Sequence, residues 1–259
     1  MVNLNNKFFH YFHLNAFEFF IILLITLLIF SYLLAATNNK KNDWPKTRSI
    51  LWVTGMLCIL VSVIGPIANL SHHLFVFHMI MHLLLGMLAP FFIALSRPIT
   101  LLLISLPIKH ARRLSRVLRS TPVQLLTNPV STLILNIGGL WVLYTSQAFY
   151  LIHNNLTLLV LLHIHLFLAG YLFTTSIISI EPTSHKYSFI FRSLIMVIAL
   201  AGHDILSKLL FSNGLDHSFY DVQSGAVLMY YGGDFIDLLI IIVLCFNWYK
   251  ATAFTKQMS

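Results

Sequence analysis

Apolar stretches long enough to cross a lipid bilayer recur along most of this chain of 259 residues. The hydrocarbon core of a membrane is about 30 Å thick and takes about 20 residues of α-helix to cross. Hydrophobic residues make up 58% of the chain and charged residues only 9%, which leaves too little polar surface for a water-soluble protein. The sequence therefore predicts an all-α, polytopic membrane helix bundle with about seven transmembrane helices, forming a single domain over 1–259. The predicted spans are 16–37, 50–70, 74–95, 131–152, 156–180, 188–211 and 224–248.

Two features interrupt this pattern of spans. Gly65-Pro66 lies near the end of the second span and is expected to kink it or end it early. Residues 98–106 are apolar but too short to cross a bilayer, so they are expected to be interfacial or re-entrant. The segment 109–119 that follows, KHARRLSRVLR, is the most basic in the chain and is predicted to lie on the anionic inner leaflet.

The distribution of basic residues predicts an outside N-terminus and a cytoplasmic C-terminus. With that orientation, all but Lys7 and Lys208 of the 16 lysines and arginines lie in cytoplasmic loops or at the inner ends of spans. The net charge of +8 is therefore a topology signal. We expect the lipid bilayer, and no nucleic acid, as the partner of these residues.

The histidines concentrate on the opposite side, in the predicted outer half of the bundle. His78 and His82 are four residues apart, so they share one face of a helix about 6 Å apart. His82, His163 and His203 are each expected roughly 10 to 12 Å below the outer boundary on three different helices. Imidazoles bind copper, zinc and iron, and a thioether such as that of Met229 favours Cu(I). The pattern predicts a metal site with copper as the first candidate, although an isolated histidine such as His165 is more often a packed core residue.

Acidic residues in the last two spans allow more than one interpretation. Asp204 and Lys208 have the i, i+4 spacing of an ion pair. Asp234 and Asp237 lie three residues apart on one face, where they can carry protons, bind a cation or fasten helices together as neutral acids. Asp221, at the outer entrance of the last span, can hold an incoming cation, orient a histidine or cap a helix.

Several ordered motifs resemble the CtaG-like cytochrome c oxidase assembly factors of bacteria. Residues 78–107, HMIMHLLLGMLAPFFIALSRPITLLLISLP, are similar to that family's longest signature. Asn128-Pro129, the segment 165–182 (HLFLAGYLFTTSIISIEP), Gly202-His203 and the segment 221–233 (DVQSGAVLMYYGG) follow in the family's order. Glu181 stands where the family has aspartate, and Asp204 and Lys208 stand where its residues are usually apolar or small.

The resemblance implies a multi-pass protein of the bacterial plasma membrane that helps to mature haem-copper oxidase. It implies cytochrome c oxidase subunits as partners, copper as the cargo and no enzymatic activity. His163 and His165 match one family histidine ambiguously. The predicted metal residues, from the sequence and the resemblance together, are His78, His82, His203, His163, Asp221 and Met229.

Two other functions remain open at the level of the sequence. A metal-ion or proton transporter would need a polar path to the cytoplasm, for which Asp234 and Asp237 are the candidates. A haem-binding membrane oxidoreductase would use histidines from two helices as axial ligands. No nucleophile and base with recognisable catalytic spacing is present.

Overall fold

The computed structural model describes residues 16–39, 44–153, 155–183, 186–214 and 221–258, and these residues form helices with no strand. Six helices are long and apolar enough to cross a membrane, and a shorter apolar stretch, Pro129–Thr145, accompanies them in the described residues. The predicted all-α, polytopic bundle is therefore confirmed. The individual helical segments of the described residues, in chain order, are α1 (Ala16–Asn38), α2 (Lys46–Val63), α3 (Pro66–Ser71), α4 (Phe75–Leu83), α5 (Ala89–Ser96), α6 (Pro98–Ser105), α7 (Ile108–Leu118), α8 (Thr121–Leu126), α9 (Pro129–Leu133), α10 (Gly139–Thr145), α11 (Ala148–His153), α12 (Leu156–Ile178), α13 (Phe189–Asn213) and α14 (Val222–Met258).

Two π-helical turns lie inside otherwise continuous helices. Leu84–Leu88 joins α4 to α5, and Ile134–Gly138 joins α9 to α10. A π-turn inserts one extra residue into a helix and leaves a backbone carbonyl without its usual partner, and such turns are frequent at functional sites.

The expected interruption at Gly65-Pro66 is confirmed. Helix α2 ends at Val63, Gly65 adopts a φ of +81°, and Pro66 starts α3. A positive φ suits glycine, and proline is favoured at the first position of a helix.

The prediction that residues 131–152 form one continuous span is wrong. Helix α10 ends at Thr145, and Ser146 is extended with φ −119° and ψ 175°. The Ser146 hydroxyl donates to the carbonyl of Val142 and accepts a hydrogen bond from the N–H of Ala148, where α11 begins. A serine side chain that bonds the neighbouring backbone in this way competes with the helix and ends it.

Two carboxylates cap helices that are distant in sequence. The Asp221 oxygens accept hydrogen bonds from the N–H groups of Phe75 and Val76 at 2.7 and 3.0 Å. The Glu181 oxygens accept bonds from the N–H groups of Ile99 and Thr100, both at 3.0 Å. The first turns of α4 and α6 thus receive acceptors that their own N-cap residues do not supply. These contacts fasten the start of α14 to α4 and the segment after α12 to α6.

The described part of the interior contains three apolar clusters. One packs α1 against α2, α5 and α6 and contains Ile25, Tyr32, Trp52, Met56, Ile93 and Leu101. The other two are called the outer cluster and the inner cluster. The outer cluster lies toward the predicted outer face and the inner cluster toward the predicted cytoplasmic face. Helix α14 packs against both α4 and α13, and the three helices contribute to the outer cluster. The outer cluster contains Phe75, Met79, Leu140, Leu143, Tyr144, Phe149, Leu206, Leu210 and Met229, and the inner cluster contains Phe91, Phe173, Ile177, Ile195, Met196, Ala199, Ile240 and Leu244.

Candidate functional site

Two buried histidines lie close together between the outer and inner clusters. His82 lies in the last turn of α4 and His203 in the middle of α13, and each is 2% exposed. Their ring centroids are 6.4 Å apart and the ring planes differ by 13°. Both rings contribute to the wall of one cavity.

The ring nitrogens of this pair are unusual for buried polar atoms. Nε2 of His82 and both nitrogens of His203 are buried without a hydrogen-bond partner. Buried polar groups are nearly always hydrogen-bonded, and leaving one unsatisfied costs about 1 to 3 kcal/mol. Such a cost is typical of a site whose ligand supplies the missing contact.

A cavity of about 20 Å³ lies beside the pair, at the boundary of the outer and inner clusters. That volume holds about one water molecule or one ion. Both π-helical turns line it, through Gly86 and Met87 on one side and Asn136 and Ile137 on the other. The other polar groups on its wall are those of Thr174 and Asp237, and the remainder of the wall is apolar.

His165 has a structural role in one of these π-helical turns. Its Nε2 lies 3.2 Å from the carbonyl oxygen of Leu135, inside the turn Ile134–Gly138. The same nitrogen would lie 3.0 Å from a Cβ at position 139, so the glycine there allows the close approach. His163, the alternative at this position of the resemblance, is half-buried and does not line the cavity.

His78 lies one turn from His82 but belongs to a different environment. Its Nε2 lies 3.0 Å from the hydroxyl oxygen of Tyr144. Its ring stacks on Phe75 at 5.7 Å and meets Phe149 edge to face at 5.4 Å. This places His78 in the outer apolar cluster.

The six predicted metal residues are therefore not brought into one ligand sphere. Met229 is fully buried in the outer cluster, and Asp221 caps α4. In the described ranges, no group of three or more His, Cys, Asp or Glu side chains is placed to hold a metal ion. The structure unites only His82 and His203 at the cavity.

Sequence reasoning did not identify three polar residues at the cavity as part of this site. The sequence pattern does not mark Asn136 or Thr174, and it presents Asp237 only as a member of an acidic pair. The one available signal was an amide, Asn136, in the middle of an apolar stretch. The π-helical turn that aims it at the cavity has no signature in the sequence.

Comparison with known families identifies the chain. The model of the cytochrome c oxidase caa3 assembly factor family (Caa3_CtaG) matches residues 29–251. This chain belongs to that family. The matched range includes both histidines of the cavity and both π-helical turns of this caa3 assembly factor family member.

Curated relatives of this family member come from mycobacteria. An uncharacterized protein of Mycobacterium leprae is 21% identical over 233 residues, which are 82% of this chain and 35% of the relative. Uncharacterized proteins of Mycobacterium bovis and Mycobacterium tuberculosis are each 28% identical over 155 residues, which are 57% of this chain and 23% of the relative. The chain thus spans about a third or less of the length of these relatives. No solved structure matches it.

Proposed function

We propose that this caa3 assembly factor family member binds copper between His82 and His203 and delivers it to the catalytic subunit of cytochrome c oxidase in the bacterial plasma membrane. The observation that carries the proposal is the pair of buried imidazoles in which Nε2 of His82 and both ring nitrogens of His203 lack hydrogen-bond partners. A metallochaperone of this kind transfers an ion without covalent chemistry. Membership of an oxidase assembly family supports cytochrome c oxidase as the recipient.

The spacing of the rings suits a single metal ion. Metal–imidazole bonds are about 2 Å long, so two rings that share an ion in line have centroids about 6 Å apart. The observed 6.4 Å lies close to that distance. A shared ion therefore requires the ring nitrogens to point toward it and no large change in the distance between the rings.

The chemistry of the pocket favours Cu(I) over divalent ions. Burying a charge in an apolar interior is costly, and the cost rises with the charge. Two neutral imidazoles and one nearby carboxyl, that of Asp237, provide few ligands for Zn²⁺, which usually takes four. A monovalent, soft ion needs fewer ligands and less compensation.

Two alternative functions fit the structure less well. Axial ligation of haem by the same pair would need space for a porphyrin, and a cavity of about 20 Å³ has none. A transporter would need a polar route from the cavity to the cytoplasm. The inner apolar cluster, with Phe91, Phe173 and Ile195 among its members, fills that region instead.

Metal analysis of purified variants tests the proposal. We expect about one copper ion per chain in the wild type after loading with Cu(I), and loss of that copper in His82→Gln and His203→Gln. His73→Gln is the matched control, since His73 is an exposed histidine away from the cavity. In a deletion strain, the two site variants should fail to restore oxidase activity and the control should restore it. Full copper content in both site variants, with folding verified by size-exclusion chromatography, would reject the site.

A further inference from the structure

Helix α7 carries its positive charges on one face. Its exposed cations are Lys109, Arg112, Arg113 and Arg116. Spacings of three and four residues place these four side chains next to one another along the helix. The half-buried Ala111, Leu114 and Leu118 recur at similar spacings on the opposite face, and α7 packs against its neighbours in the chain, α6 and α8.

The four cations border a single open depression. Its volume is about 470 Å³, and its lining residues are Ile108, Lys109, Arg112, Arg113 and Arg116. A helix that only rests on a charged surface can have its cations spread around it. Here they surround one space, which has the volume of a small-molecule binding site.

The sequence around α7 supplies no carboxylate to these cations. Positions 44–180 contain neither Asp nor Glu, and the first acid after them is Glu181. Both Glu181 oxygens accept hydrogen bonds from Ile99 and Thr100 at the start of α6. Like charges at helical spacings of three and four residues repel one another, so this face is complementary to an anionic ligand.

Contacts between helix ends place α7 near the predicted cytoplasmic end of the bundle. The Tyr32 hydroxyl, near the end of α1, donates to the carbonyl of Ser96 at the end of α5. Arg97 follows directly, and Arg192 near the start of α13 donates to the carbonyl of Ile177 at the end of α12. Arginines at the ends of spans mark the cytoplasmic side, where the leaflet carries anionic lipids. Helix α6 is 8 residues long, about 12 Å, so α7 stays close to this end.

A phospholipid matches both kinds of side chain at this site. Ile108 in the depression is 72% exposed, and Leu125 of the following helix α8 is 66% exposed. The phosphate of a lipid can pair with guanidinium groups, and its acyl chains can cover apolar side chains. A nucleic acid or an acidic protein segment would pair with the cations but leave these apolar side chains in water.

We propose that the basic face of α7 binds the phosphate of one anionic phospholipid of the inner leaflet, with the acyl chains beside Ile108. The bound headgroup supplies the negative charge that the surrounding chain lacks and allows Arg112, Arg113 and Arg116 to stay close together. This site is separate from the copper pocket and does not depend on copper delivery.

Lipid retention during purification tests the proposal. The detergent-solubilised full chain is incubated with equal amounts of phosphatidylglycerol and phosphatidylcholine that have identical acyl chains, then washed on an affinity column and extracted for lipid mass spectrometry. We expect about one phosphatidylglycerol per chain, with a preference of about tenfold over phosphatidylcholine. Raising the salt to about 1 M, which screens charges beyond about 3 Å, should release the lipid from the wild type.

The double variant Arg112→Gln/Arg116→Gln should lose the preference for phosphatidylglycerol. Lys46→Gln/Lys250→Gln is the matched control, because it removes two exposed cations from other helices on the same predicted side of the membrane. Size-exclusion chromatography and the unfolding midpoint in detergent verify the fold of both double variants. The control should retain the lipid as the wild type does.

Four results would overturn the proposal. The wild type could retain the two lipids equally, or the site and control variants could retain the same amount of phosphatidylglycerol. Displacement of the lipid by excess inorganic phosphate would show a site for the free anion. Retention of nucleic acid in place of lipid would identify a different partner for α7.

Discussion

The imidazole ring of His203 lies directly against Gly233, in the space that the side chain of any other residue would occupy. A Cβ at position 233 would lie 2.7 Å from Nδ1 of His203 and would collide with Cε1 of the same ring. The packing of α13 against α14 thus depends on a glycine at the point where the ring passes, and this contact sets the direction in which His203 faces His82.

Replacing Gly233 should therefore disable the copper site. We expect Gly233→Ala to displace the His203 ring and to weaken Cu(I) binding by at least tenfold in a competition assay with a chromogenic chelator. Gly232→Ala is the matched control, because a Cβ there meets only the flexible end of Leu83. Equal affinities in the two alanine variants would show that the orientation of His203 does not matter for binding.

Loss of the Asp221 cap should affect stability rather than copper. Asp221→Ala removes the acceptors for the N–H groups of Phe75 and Val76, and helix caps contribute about 1 to 2 kcal/mol. We expect a lower thermal unfolding midpoint in detergent and unchanged copper content, with Asp221→Asn giving a smaller loss of stability. Loss of copper without loss of stability would instead identify Asp221 as a ligand, as the sequence predicted.

His78 and His82 should behave differently although they lie on one helical face. His78 contacts the Tyr144 hydroxyl and does not line the cavity. We expect His78→Gln to keep its copper and to lose some stability, whereas His82→Gln loses copper. Inductively coupled plasma analysis of both proteins checks this. Equal copper loss in the two variants would return His78 to the ligand set.

Glu181 should make stability depend on pH. Burial raises the pKa of its carboxyl group, although hydrogen bonds from Thr100 and Ile99 and the charge of Arg97 oppose the shift. Because the folded state holds the proton more tightly than the unfolded state, the stability it contributes is present below the unfolded pKa of about 4.3. That contribution is lost as pH rises from there through the raised folded pKa.

Thermal unfolding across this pH range, in wild type and in Glu181→Gln, measures the effect. The wild type should lose stability as pH rises from about 4.3, because Glu181 has then to be ionised in its buried position. The glutamine variant lacks this titration and should show a flatter profile. Parallel profiles for the two proteins would mean that Glu181 titrates alike in the folded and unfolded states.

The sequence predicted the parts of this fold that depend on local composition. The length of the apolar stretches predicted the membrane bundle, and Gly65-Pro66 predicted the break after α2, because glycine and proline act on their own backbone. The estimate of equal depth for His82 and His203 was consistent with their meeting, since helical rise is constant at 1.5 Å per residue.

The features that sequence could not predict depend on contacts between distant segments. Asp221 caps α4 across 146 residues, so its partner could not be read from its neighbours. The π-helical turn at Ile134–Gly138 is accompanied by a contact from His165, and it aims Asn136 into the cavity. The break at Ser146 depends on which of several possible backbone bonds one hydroxyl makes.

X-ray absorption at the copper edge of the purified, Cu(I)-loaded protein probes the ligands of the copper ion itself. We expect a low-coordinate Cu(I) ion bound by two imidazole nitrogens at about 2 Å, with the signal lost in both His82→Gln and His203→Gln. A copper–sulfur distance in the spectrum, or an unchanged spectrum in either variant, would contradict it.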